Sequence, residues 1–128
     1  MLSIVGRLTS VLLFTLTALA QPQAASFLGK GNQFMQERLF QRAIDEFERA
    51  LGIEPSLHAA RYQLAVCFFA LGQNDESRRE FELLKKQAGP SHETSYYLGR
   101  ILLLEGDSSG AIRELAPLTK DQIGRAHV

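Results

Sequence analysis

The sequence predicts an all-α protein of six antiparallel helices, paired into three helix–turn–helix units. A 34-residue internal period, an amphipathic helical pattern inside each period, and Gly/Pro punctuation at regular offsets carry that expectation. Gly31, Ala65 and Gly99 are spaced by 34 residues, and the same offset links Phe34, Phe68 and Leu102. It also links Ala43, Ser77 and Ala111, then Phe47, Phe81 and Leu115. Leu64 with Leu98, Gly72 with Gly106, and Ile44 with Ile112 agree in part. Small residues in one column let two helices approach closely, and large apolar residues three positions on fill the space beside them.

Each unit divides into two amphipathic helices. Phe27, Phe34 and Met35 share the first, while Phe40, Ile44, Phe47 and Leu51 follow on the second at spacings of four, three and four. Gly72 and Gly106 stand where a first helix should end in a left-handed turn. Asn74-Asp75 and Asp107-Ser108 are expected to cap the helices that follow. Pro55 and Gly89-Pro90 close the first two units. The expected helices are 25–37, 41–53, 58–71, 74–87, 93–105 and 109–120.

The first 20 residues have a different composition. Arg7 is their only charge, and Leu8 to Ala20 is an uncharged, mostly apolar run ending in Ala18-Leu19-Ala20. Such a run reaches only ~20 Å as a helix against a hydrocarbon core of ~30 Å. A signal peptide over residues 1–20, cleaved after Ala20, is therefore expected, and an uncleaved membrane anchor is the alternative. Residues 21–23 read as a linker. The expected location is periplasmic or secreted, from a bacterial source.

Lys plus Arg and Asp plus Glu balance at 14 each, so no basic excess points to a nucleic-acid partner. Cys67 is the one cysteine, which forms no internal disulfide, fits no metal spacing and reads as a small buried apolar residue. His58 and His92 occupy the same place in successive units without the carboxylate or cysteine columns of a zinc site. Gly29-Lys30-Gly31 lacks the spacing and preceding strand of a phosphate loop. Arg42–Glu46, Asp45–Arg49, Arg78–Glu82 and Glu82–Lys86 read as i,i+4 pairs on a solvated face rather than as catalytic carboxylates. No catalytic residue, metal or cofactor is expected.

These columns resemble the tetratricopeptide repeat, whose pattern is W-x2-L-G-x2-Y, then A-x3-F, then P. The first unit (24–57) reads Phe27-x2-Lys30-Gly31-x2-Phe34, Ala43-x3-Phe47, Pro55. The second (58–91) reads Arg61-x2-Leu64-Ala65-x2-Phe68, Ser77-x3-Phe81, with Gly89-Pro90 one place late. The third (92–121) is incomplete and reads Ser95-x2-Leu98-Gly99-x2-Leu102, Ala111-x3-Leu115. Lys30, Arg61 and Ser95 depart from the family pattern. The resemblance implies a right-handed α–α superhelix, a solenoid whose first helices line a concave groove for a protein or peptide. By position that groove holds Asn32, Met35, Tyr62, Gln63, Val66, Phe69, Tyr96, Tyr97 and Arg100, with Leu28, Gln36, Glu93 and Leu103 beside them.

One variant of the family grips a C-terminal carboxylate with Lys and Asn side chains in its first two units. Here the corresponding positions are Leu28, Asn32, Ala59 and Gln63, so the cations are missing. The function implied is a non-catalytic interaction scaffold, with no nucleic acid or small-molecule substrate expected, and a membrane only if the N-terminal segment stays attached. The alternatives are a docking module of a longer protein and a membrane-tethered assembly factor. Residues 122–128 (QIGRAHV) show no amphipathic period and resemble a translated sequencing adapter, so the natural chain is expected to continue past about Lys120.

Overall fold

Six helices follow one another along the computed structural model, which describes residues 22–118, and no strand occurs among the described residues. The expected leader and the 122–128 tail lie outside the described residues. Helix α1 covers 22–36, α2 Phe40–Ile53, α3 His58–Ala70, α4 Asn74–Ala88, α5 His92–Leu104 and α6 Ser108–Leu115. The chain divides into two compact units, Met1–Ala60 and Arg61–Val128.

Two boundaries differ from expectation. The chain is already helical at Pro22, inside the segment expected to be a linker. Helix α6 stops at Leu115, not at 120. Pro117 has no N–H to donate to the ladder, so the helical bonding ends there.

All three first helices end in the same turn. Arg38 N–H donates to the Met35 carbonyl (2.9 Å) and Leu39 N–H to that of Phe34 (2.8 Å). Gly72 and Gln73 bond in the same way to Phe69 and Phe68, and Gly106 and Asp107 to Leu103 and Leu102. These are Schellman motifs, which need a left-handed residue at the turn. Gly72 (φ +74°) and Gly106 (φ +84°) supply it as expected, but the first unit uses Arg38 (φ +60°). The residue after the turn begins the next helix, so the cap falls on Leu39, Gln73 and Asp107. Asp107 caps α6 by accepting from Gly110 N–H at 2.8 Å. The expected capping by Asn74-Asp75 is not found: Gln73 holds that place and its side chain makes no capping bond.

Inside the first unit, α1 meets α2 at Gly31, where an added Cβ would run into the ring of the fully buried Phe47. In the second unit the same column brings Gly99 of α5 against Leu115 of α6. Between these columns, Ala65 and Phe81 join Leu98 and Ile101 in the core of the second unit. Ser77, in the column of Ala43 and Ala111, is fully buried and donates to the Ala65 carbonyl at 2.8 Å. Cys67 is buried as a small apolar residue, and burial pushes its thiol from 9.0 up to about 12. Leu103 and Leu104 of α5 and Ile112 of α6 stay 52–67% exposed.

The ion pairs are not the i,i+4 set expected. Glu46 pairs with Arg49, three residues on, at 3.1 Å, and the Arg42 guanidinium lies over the Phe34 ring. Arg78 reaches across to Glu105 at 3.0 Å and Lys85 to Glu114 at 2.9 Å. Packing of α4 on α5 and α5 on α6 brings these groups closer than their own helix does. A 34-residue column of carboxylates, Glu46, Glu80 and Glu114, emerges here. Arg61 Nη1 donates to Glu80 at 2.6 Å, and Ser95 Oγ to Glu114 at 2.9 Å. Arg61 and Ser95 stand where the family pattern has its aromatic residue, so their departure from that pattern is answered by a carboxylate on the second helix.

Candidate functional site

The second unit gathers six of the nine groove residues expected from the sequence into one interlocked cluster. Tyr62, Val66 and Phe69 project from α3 at helical spacings of four and three, and Tyr96, Tyr97 and Arg100 from α5. Tyr97 stacks on the buried Phe81 ring, centroids 5.0 Å apart and 11° from parallel. Tyr62 and Phe69 meet Tyr97 edge-on at 6.2 and 5.4 Å, and Tyr96 meets it at 5.5 Å. Edge-to-face and offset-stacked pairs of this kind stabilise beyond their buried area, by roughly 0.5–1.5 kcal/mol each.

The aromatic side chains of this cluster are largely buried against one another. Tyr96 is only 8% exposed, and Tyr62, Val66, Phe69 and Tyr97 are half-buried against the core. Gln63 is half-buried as well, whereas Arg100 and Glu93 are exposed. The rings cover one another, which spectral reading of the sequence by helical period could not reveal, because the contacts join α3, α4 and α5.

Arg100 sits over this cluster. Its guanidinium lies 5.0 Å from the Phe69 centroid and 5.5 Å from that of Tyr96, and Nη1 donates to the Tyr96 hydroxyl at 3.3 Å. A cation over ring faces is attracted by the negative face of each quadrupole. Burial above all, then Tyr97 and Glu93, pushes the Tyr62 phenol from 10.0 up to about 12. Tyr97 is also raised, by burial first and then by Tyr96, with Arg100 opposing. Both phenols therefore stay protonated and uncharged at neutral pH.

Asn32 and Met35 belong to the first unit, on α1, where both are half-buried. The Asn32 Oδ1 atom is buried and makes no hydrogen bond among the described residues. His58 and His92 each begin a helix, α3 and α5. A cleft of about 490 Å³ in the second unit is lined by Lys85, His92, Glu93, Ser95, Arg113 and Glu114. Glu114 there already takes Lys85 and Ser95 as partners. Among the described residues no helix is long and apolar enough to cross a membrane.

Residues 34–93 match the family described as the tetratricopeptide repeat. Over those residues the repeat is the tetratricopeptide repeat. No curated protein matches it by sequence. Solved tetratricopeptide-repeat structures share the fold. The second repeat domain of Spaghetti, bound to the HSP90 peptide SRMEEVD, superposes with a TM-score of 0.74 at 16% identity, over 88% of this chain and 98% of that one. The domain of Sgt2 from Aspergillus fumigatus gives 0.68 at 22% identity, over 82% and 74%. YrrB, whose structure has an unusual peptide-binding site, gives 0.68 at 18% identity, over 78% of this chain and 56% of YrrB. At these identities the likeness establishes the all-α tetratricopeptide-repeat fold expected from the 34-residue columns.

Proposed function

We propose that this chain is a non-catalytic protein-interaction module, which holds a peptide or a segment of a partner protein against its first helices. The observation that carries the reading is the Arg100 guanidinium, exposed and set over the Phe69 and Tyr96 rings, with Tyr97 packed edge-on against both rings. Aromatic rings and arginine at the centre of a contact surface supply most of the affinity in known interfaces. Rings already fixed by packing lose little conformational freedom when a partner covers them. Peptide binding by tetratricopeptide domains such as that of Spaghetti, and the peptide-binding site of YrrB, support the same reading.

Partner capture tests it. Proteins that co-purify with the tagged chain are identified, and capture is repeated with Arg100→Glu and Gln63→Lys together. Both groups have a solvent-facing part, so helical circular dichroism should be unchanged while the partner is lost. Undiminished capture would place the interaction elsewhere on the chain. The apolar run Leu8–Ala20 supports an exported location, and a mature protein whose first residue is Met1 rather than Gln21 would contradict cleavage.

A further inference from the structure

Resting on the peptide-binding reading, we infer that the α3–α5 face selects an extended, zwitterionic peptide segment. Its carboxylate lies at the Arg100 end, a basic group lies toward Glu93, and apolar side chains lie between them. The ion pairs of the described residues engage Glu46, Glu80, Asp75, Glu105 and Glu114, and none involves Arg100. Its charge is instead held in place by two rings and a phenol oxygen. A planar guanidinium fixed in this way presents its outer N–H groups as a fork that fits a carboxylate, with little further ordering needed.

Glu93 supplies the opposite pole. It stands seven residues before Arg100 on α5, close enough to Tyr62 to raise that phenol. Seven residues of helix rise about 10 Å. Roughly three residues of extended chain cover the same distance. The floor between the poles is apolar or protonated: Val66, Phe69 and Tyr97, with Tyr62 uncharged at neutral pH. A uniformly acidic segment would meet Glu93, and a uniformly basic one would meet Arg100. A segment with an acid and a base about three residues apart, and apolar side chains between, complements both.

The experiment is selection from a display library of short random peptides on the full chain, run in parallel on Arg100→Gln and Glu93→Gln. Peptides enriched on the wild type should pair Asp or Glu with Lys or Arg at that spacing. The acid preference should vanish on Arg100→Gln and the base preference on Glu93→Gln. An enriched peptide should bind Arg100→Gln about tenfold more weakly, the scale of one charge-assisted hydrogen bond. Enriched peptides without paired charges, or with preferences that survive both substitutions, overturn this inference and leave peptide binding standing. A library in which nothing enriches on the wild type overturns both.

Discussion

The first and second hairpins place a carboxylate at the same repeat position and neutralise it in different ways. In the first, Glu46 is buried on α2, Arg49 bonds one of its oxygens, and the other, Oε2, has no partner among the described residues. Arg49 also lies over the Phe27 ring at 6.0 Å, so the aromatic position and the carboxylate share one cation. In the second, Arg61 has replaced the aromatic residue itself, and its guanidinium bonds Glu80 directly with only 10% of its side chain exposed. The third hairpin uses yet another solution, with Ser95 and the Lys85 of α4 both donating to Glu114. The repeat therefore preserves a place for a carboxylate and leaves the choice of its counter-charge free. A column of one residue type can persist while its partner column changes chemistry.

Three substitutions would break or sharpen that comparison. Arg61→Ala should cost most, about 2–4 kcal/mol by urea denaturation, because it strands the partly buried Glu80 in the packed second unit. A loss no larger than that of an exposed pair would mean that water already screens this carboxylate. Arg38→Gly should instead stabilise the first hairpin by about 1 kcal/mol, since a side chain in the left-handed region is strained and Gly is not. The contact of Arg38 with the Phe40 ring, 6.0 Å away, offsets part of that gain, and a net loss would show that this contact outweighs the strain. Lys85→Ala should have the smallest effect, about 0.5 kcal/mol, because its side chain is 39% exposed and Ser95 still donates to Glu114. A loss equal to that of Arg61→Ala would remove the distinction between the second and third hairpins.

Much of the architecture was legible because the period is encoded in backbone requirements. Gly72 and Gly106 mark left-handed turns, and Gly31 and Gly99 mark close helix approaches, so their columns located the helices. Arg38 hid the equivalent first turn, since a charged residue gives no signal for positive φ. The Glu46–Glu80–Glu114 column was equally visible at 34 residues, but the i,i+4 pattern on each second helix offered a local explanation that cross-helix packing then overruled. Of the expected site, the grouping of Tyr62, Phe69, Tyr96, Tyr97 and Arg100 was implied by their positions in the family pattern. Their degree of burial did not, because it depends on Phe81 arriving from α4 to stack against Tyr97.

The left-handed turns at Arg38, Gly72 and Gly106 have one more consequence. Each is closed by the same two backbone bonds, and each hands the chain to the next helix at Leu39, Gln73 or Asp107. A segment running from one such handover to the residue before the next begins and ends in equivalent backbone geometry. Tandem duplication of that stretch would join end to end without inventing a new loop, and a deletion of the same length would heal equally well. Changes in length that come in whole multiples of this period are therefore the ones this chain is built to absorb, while a slip of one or two residues would misplace every turn downstream.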